Sequence, residues 1–428
     1  MITSPAFAGR TYGVFGLARS GKATVAALHA AGAKTLNWDD GEAARAGFDG
    51  ELTNLHDADL AGLAALVVSP GVPHTAPLFQ RAIAAGVPVI GDIELFAQAR
   101  AGLPPHRVVA ITGTNGKSTT TALIHHILAE AGVPTLMGGN IGLPILAQDP
   151  LPAGGVYVLE LSSYQIDISF SLAADVAVLL NITPDHLERH GSVAAYAAAK
   201  ARLFTMQAPG SIAIVGALAD ADFDVLAGAP DAAVLFIENV DAGDQDNWPG
   251  LQGPHNLQNA RAAAGACLAL GLSSEAIARG LASYRALPHR MERIGSKAGV
   301  LWVNDSKATN ADSTAPALSA YPDTHWIAGG RAKRAADGSA DLAAVLPHLG
   351  AVKAVYLIGE AMEDFAAILS PHVPVVRSGT MAQAVADCAA AARPGETVLL
   401  SPAAASFDQF RDFEARGELF RQLVEALP

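Results

Sequence analysis

Gly113, Thr114, Asn115, Gly116, Lys117, Ser118 and Thr119 stand between an apolar run, Val108 to Ile111, and a long amphipathic stretch that opens at Lys117. Glycines in such a turn let the backbone wrap a phosphate, and the N-terminus of the helix that follows directs N–H groups at it. A lysine adds positive charge, and a hydroxyl at the position of Ser118 can reach Mg2+. This is the physics of a nucleoside triphosphate site. Only Thr114 and Asn115 separate Gly113 from the Gly116–Lys117 pair, so the segment departs from the common phosphate-loop spacing of four intervening residues.

Other chemistry-bearing residues close apolar runs of the same kind. Glu160 ends VYVLE, and Asp185 with His186 follows VAVLLNITP. Ligands of an open parallel sheet sit beyond the carboxyl ends of its strands, so these side chains are expected at the mouth that holds the phosphate loop. Glu160 and His186 are candidates for a Mg2+ site; each alone reads equally well as structural, His186 as a capping or core histidine. Lys200 lies among alanines four residues after Tyr196 and, by itself, reads as a solvated surface lysine. Asn256 and Asn259 share a helix face, where they either read an adenine edge or phosphate oxygens, or cap the helix. WVNDSKATN and LSPAAASFDQF end apolar runs in small polar residues, the composition of binding loops on a rigid scaffold, and Lys333 in IAGGRAK can face a carboxylate. Near the N-terminus, Gly13, Gly16 and Gly21 follow a strand without the G-x-G-x-x-G spacing. With Asn37 and Asp39 at the end of the next run and SPGVP at 69–73, a nucleotide or nucleotide-sugar head could bind there.

The elements that must position these residues alternate along nearly the whole chain: short apolar runs, then Ala-rich helical stretches, the βαβ pattern of a parallel sheet with helices on both faces. The fold class is α/β. A chain of 428 residues exceeds one ordinary core, and the pattern restarts after AGLPPH and again after ALPHRMERIG. Three domains are expected: 1–98, Rossmann-like; 99–290, a central, mostly parallel sheet of the phosphate-loop type that binds ATP; and 291–428, Rossmann-like again. ENVDAGDQDNWPG, inside the less regular stretch from about 206 to 254, reads as loop. The formal charge of −13 and the absence of a Lys/Arg cluster argue against a nucleic-acid partner. No apolar run approaches the ~18 residues of a membrane span. The N-terminus carries no secretory pattern, and Cys267 and Cys388 read as buried thiols, so a cytoplasmic protein is expected.

Taken together, TGTNGKST, GGNIGLP, LELSSYQ, NITPDHLERHG, AAKARLF, HNLQNA, LPHRME, NDSKATN and LSPAAASFDQF resemble, in order and spacing, the Mur ligases of peptidoglycan synthesis. The short N-terminal domain and GDIELF are most similar to the branch that adds D-glutamate. The resemblance implies that ATP phosphorylates the terminal carboxylate of UDP-MurNAc-L-alanine. The amine of D-glutamate then attacks the acyl phosphate through a tetrahedral intermediate, in a monomeric enzyme that uses Mg2+. By motif position it implies that Gly113 to Thr119, Asn256, Asn259, Arg290 and Asp305 bind ATP, and that Lys117, Glu160, His186 and Lys200 are catalytic. Ser118, Glu160, His186 and a carbamoylated Lys200 would hold the metal. Gly16, Leu17, Ala18, Arg19, Asn37 or Asp39, Gly71, Asn140 and Ser162 would meet the UDP-sugar. Lys307, Thr309, Lys333, Ser406, Phe407 and Phe413 would form the amino-acid pocket. A folylpolyglutamate synthase shares such loops but begins near the phosphate loop, and a nicotinamide oxidoreductase would use the N-terminal turn instead. Residue types alone do not choose between D- and L-glutamate.

Overall fold

A computed structural model describes residues 1–216, 224–334 and 338–428. In the first 90 residues, β1 (Thr11–Phe15), β2 (Lys34–Trp38), β3 (Ala65–Val68) and β4 (Val89–Ile90) form a parallel sheet in the order β2-β1-β3-β4. A second parallel sheet joins β5 (His106–Thr112), β6 (Thr135–Gly139), β7 (Gly155–Glu160), β8 (Val176–Leu179), β9 (Ile212–Val215) and β10 (Ala233–Phe236) in the order β10-β9-β8-β5-β7-β6. Every residue of β7 and β8 is buried, as is β5 beyond its first two residues. Helices cover both faces of such a sheet, so its inner strands are continuous apolar runs rather than alternating ones.

The third sheet contains β11 (Glu292–Lys297), β12 (Val300–Asn304), β13 (Thr324–Gly329), β15 (Val352–Ile358), β16 (Val375–Gly379) and β17 (Thr397–Leu400), in the order β11-β12-β17-β13-β15-β16. Its β11–β12 pair is antiparallel, and the other pairs are parallel. β14 (Arg331–Ala332) and β18 (Ala404–Ala405) make a separate antiparallel bridge just beyond its strand ends. The Ala-rich runs are helices as expected, including Val193–Thr205 and Pro254–Ala269. ENVDAGDQDNWPG is loop apart from two short 3-10 turns. Residues 217–223, in the stretch whose pattern is hardest to read, lie outside the described residues. Cys267 and Cys388 are buried free thiols, and burial pushes both above the ordinary thiol range.

The chain divides into two compact units, 1–241 with 261–277, and 242–260 with 278–428; one of their boundaries falls within the helix Pro254–Ala269 and another within the helix Ser274–Ser283. The first unit holds the first two sheets, and one buried carboxylate fastens them together. Glu94, on the helix Asp92–Ala99 that follows β4, accepts hydrogen bonds from the backbone N–H groups of Phe170 (2.7 Å) and Ser171 (2.9 Å) and from the Ser171 hydroxyl (2.7 Å). Gly91 N–H donates to Ile168 O at 3.0 Å and Arg189 to Val72 O at 2.7 Å across the same seam. Hydrogen bonds to an ionised group contribute about 1.5–3 kcal/mol each, less where water competes. Glu94→Ala is therefore expected to lower the unfolding free energy by about 2–3 kcal/mol, read as a reduced urea midpoint; an unchanged midpoint would show that the seam does not depend on this carboxylate.

Candidate active site at the strand ends

The parallel register decides which residues meet. Ile111 of β5 pairs with Glu160 of β7, Thr112 with Leu179 of β8, and Gly139 of β6 with Glu160. Four neighbouring strands thus end at one level, and their connections all begin there. Gly113 leaves β5 at φ +151°, where an added Cβ would press on Leu180 Cβ at 3.0 Å and on the Asn181 backbone. Gly116 occupies the N-cap of the helix Lys117–Glu130 in the left-handed region, with no capping side chain. Asn181 rivets the loop from the next strand: its carbonyl accepts from Thr114 N–H, its Oδ1 accepts from Asn115 N–H at 2.9 Å, and its Nδ2 donates to Asn115 O at 3.2 Å. Thr114 adds a hydroxyl bond to Thr183 O and accepts from Thr183 N–H. The Lys117 ammonium folds over the loop, donating to Gly113 O and Thr114 O at 2.8 Å each, and the Ser118 side chain is buried.

Glu160 is 2% exposed. Asn140 Nδ2 donates to its Oε1 at 3.0 Å, while its Oε2 is buried with no hydrogen-bond partner. An orphaned carboxylate oxygen is costly unless something positive is meant to meet it, and a hard cation is such a group. No cluster of three or more His, Cys, Asp or Glu suited to a metal occurs among the described residues. Mg2+ can be held by one or two protein carboxylates, its shell completed by phosphate and water. Gly139 packs closely on this strand end, since at φ +86° an added Cβ would lie 2.2 Å from the Glu160 backbone carbonyl oxygen. His186 occupies the N-cap of the short helix Leu187–His190 at φ +52°, without capping it through its side chain. Non-glycine residues seldom adopt that region, and they persist there mostly at functional sites.

Lys200 overturns its reading as a surface lysine. It is 1% exposed, its Nζ donates to Gly113 O at 2.9 Å and Thr112 Oγ1 at 3.4 Å, and it lies 4.5 Å above the Tyr196 ring. Burial, reinforced by the nearby Lys117 charge, holds its pKa well below the ordinary lysine value. Burial thus disfavours the charged form of this amine, which lies under the phosphate loop. Nothing in AAKARLF distinguishes this lysine from a solvated one; burial comes from which helix face meets β5.

A cavity of about 460 Å3 opens beside these groups, lined in part by Arg19, Gly71, Asn140, Ser162, Tyr164 and His186. Four of the residues expected at the UDP-sugar thus line one cavity, while Ser162 also caps the helix Ser163–Asp167 through a capping box with Gln165. Tyr164 was not anticipated from the sequence. Asp39 secures the N-terminal turn, accepting from Leu17 N–H and Gly41 N–H at 2.7 Å each. Gly16 N–H donates to Trp38 O, and Ala18 is the N-cap of the helix Arg19–Ala30. Asn37 is buried and donates to Glu51 O, which leaves Asp39 as the more accessible of the two.

The remaining expected residues belong to the second unit. Asn256 and Asn259 are buried, and Asn259 Nδ2 donates to Asn256 Oδ1 at 3.1 Å. Asp305 is buried, with Oδ1 accepting from Met291 N–H beside Arg290 and Oδ2 from the Ser401 hydroxyl; burial pushes its carboxyl up to about 7. Lys307 Nζ lies 3.9 Å over the Phe413 ring, Ser406 is buried, and Phe407 is 63% exposed. Thr309 and Lys333 lie on the loops after β12 and β14. The organising residue here is Arg416, which sequence reasoning missed. It is fully buried in the helix Phe413–Glu425 and donates to Ser306 Oγ (3.0 Å), Ser306 O (2.8 Å), Ala404 O (3.0 Å) and Gly329 O (3.5 Å). One guanidinium thereby ties together NDSKATN, SPAAASF and the turn before GRAK.

Residues 111–235 match the Mur ligase middle domain and residues 289–404 the Mur ligase glutamate ligase domain. The UDP-N-acetylmuramoylalanine–D-glutamate ligase of Sphingopyxis alaskensis is 58% identical to this chain, over the whole of both. The chain belongs to the Mur ligases. A ligase of the same name from Novosphingobium aromaticivorans is 56% identical, covering all of this chain and 97% of its own. Among solved structures, a UDP-N-acetylmuramate-alanine ligase from Thermotoga maritima aligns with 97% of this chain and 99% of its own (TM-score 0.59, 14% identity). A MurF ligase from the same organism, in complex with ADP, covers 85% and 90% (TM-score 0.58, 18% identity). At those identities the two structures establish the fold. In this Mur ligase the middle-domain match spans the phosphate loop, Glu160, His186 and Lys200, and the glutamate ligase match spans Arg290, Asp305, Lys307, Thr309 and Lys333.

Removing the Arg416 guanidinium leaves buried carbonyls without a donor, so Arg416→Met is expected to cost about 3 kcal/mol, measured by denaturant unfolding; a loss under about 0.5 kcal/mol would refute its organising role. Asp305 makes a second test. A carboxyl raised towards 7 adds stability that is full below the ordinary carboxylate range and is lost as pH rises through about 7. Asp305→Asn should therefore gain stability relative to the parent as the pH rises from about 4 to about 8, and parallel stability profiles would contradict this.

Proposed function

We propose that this Mur ligase joins D-glutamate to UDP-N-acetylmuramoyl-L-alanine at the expense of ATP, in peptidoglycan precursor synthesis. One observation carries the reading: the phosphate loop and the orphaned Glu160 carboxylate oxygen end adjacent strands, in a chain similar from end to end to ligases of that name. The three sequence segments 1–98, 99–290 and 291–428 are the UDP-sugar, ATP and amino-acid domains of this reading. No helix among the described residues is long and apolar enough to cross a membrane, and we place the reaction in the cytoplasm with a monomeric enzyme.

The substrate's terminal carboxylate oxygen attacks the γ-phosphorus of ATP, forming an acyl phosphate and releasing ADP. The amine of D-glutamate then adds to the acyl carbon, and the tetrahedral intermediate collapses with loss of phosphate and a proton. Two anions must approach in the first step, so the loop's N–H groups and Lys117 lower the repulsion while Asn181 keeps the loop rigid. Ser118, Glu160 and His186 would hold Mg2+, together with Lys200 as a carbamate formed when its amine adds CO2 and loses a proton. Bound there, Mg2+ supplies neutralisation of the phosphate charge. Arg19, Asp39, Gly71, Asn140 and Ser162 orient the UDP-sugar. Lys307, Lys333, Ser406 and Phe407 receive the amino acid, and Asn256, Asn259, Arg290 and Asp305 bind the nucleotide.

Phosphate release from ATP is expected to require both UDP-N-acetylmuramoyl-L-alanine and D-glutamate; release with L-glutamate, L-lysine or glycine in its place, or none at all, would sink the reading. Glu160→Gln is expected to lower kcat by about a hundredfold or more. A carbamate 13C resonance after 13C-bicarbonate labelling should appear in the parent and be lost in Lys200→Arg.

A further inference from the structure

Tyr164 stands on the helix Ser163–Asp167, and its ring centroid lies 5.1 Å from that of His186. Its hydroxyl oxygen is 3.1 Å from His186 Nδ1 and 3.5 Å from Glu188 Oε1. The same Glu188 oxygen is 3.5 Å from His186 Nδ1. The Arg189 guanidinium covers the Tyr164 ring at 4.8 Å, and the His190 and Tyr196 rings lie 5.8 Å from Tyr164 and 6.2 Å from His186 respectively, which limits rotation of either group.

A neutral imidazole carries one ring proton, and the hydrogen bond made by one nitrogen sets the state of the other. An ionised carboxylate only accepts. Glu188 Oε1 faces both the tyrosine hydroxyl and Nδ1, so the hydroxyl donates to Glu188 and its lone pair accepts from Nδ1–H. On the other edge, Nε2 is 3.7 Å from Asp185 Oδ2, too long for a hydrogen bond. With Nδ1–H turned to the tyrosine, Nε2 is the nitrogen that can ligate a cation.

We propose that Tyr164 is a positioning residue that holds the His186 ring with Nδ1–H against the Tyr164–Glu188 pair, so that Nε2 is presented to the metal. This rests on the reading of His186 as a metal ligand and adds to it a residue that sets the ligand's tautomer and ring angle, as groups hydrogen-bonded to metal-bound histidines do elsewhere. Phenylalanine at this position would keep the aromatic packing and lose the acceptor for Nδ1–H.

Two measurements test it. With 15N-labelled histidine, the His186 resonances, assigned by their loss in His186→Gln, should show a protonated Nδ1 in the wild-type protein. An unprotonated Nδ1 would overturn the proposal, and this result needs no Tyr164 variant to fold. In Mn2+ titrations followed by electron paramagnetic resonance with ADP present, Tyr164→Phe should bind the ion about tenfold more weakly. Unchanged Mn2+ affinity in Tyr164→Phe alongside a loss in Glu160→Gln would overturn the tautomer assignment and leave the metal site standing. Indifference of the ion to Glu160→Gln as well would remove both.

Discussion

The alignment of β6, β7, β5 and β8 governs the first unit. Gly139, Glu160, Thr112 and Leu179 are partners across neighbouring strands. A slip of one residue in any pair would turn every side chain of that strand to the opposite face. Glu160 would then leave the phosphate loop, and the Asn181 side chain would no longer meet Asn115. The register is fixed by apolar side chains buried on both faces, so the precision of the polar site is inherited from hydrophobic packing beneath it.

Charge is handled sparingly. The molecule carries a formal charge of −13, yet it assembles a phosphate-binding turn from backbone geometry, one ammonium folded onto carbonyl oxygens, and a second lysine too deeply buried to favour its charge. Backbone dipoles serve where many cationic side chains would repel one another. The carboxylate that faces this turn is left half satisfied, an arrangement whose cost makes sense only beside a cation.

Much of this was legible before any coordinates. The phosphate loop, the strand-end positions of Glu160 and His186, the α/β class and the restarts of the βαβ pattern all follow from local sequence, because glycine spacing and apolar periodicity are local signals. Asn181 was within reach of the same strand-end rule that singled out Asp185. Lys200 was not, since a lysine in an alanine-rich helix reveals its burial only when the helix docks. Arg416 gave no signal either: an arginine inside an amphipathic helix is ordinary, and its partners are carbonyls and one hydroxyl from segments as far as 110 residues away in sequence. The edge strand β10 was obscured by polar loops on either side.

Arg416 also sets the terms on which this part of the protein can vary. Three loops distant in sequence hang from one planar group whose donors point in fixed directions. A drift in any one of them that moves its carbonyl by a fraction of an ångström alters the hydrogen bonds available to the other two. These loops therefore form a single mechanical piece, and substitutions within them are tolerated in concert or hardly at all.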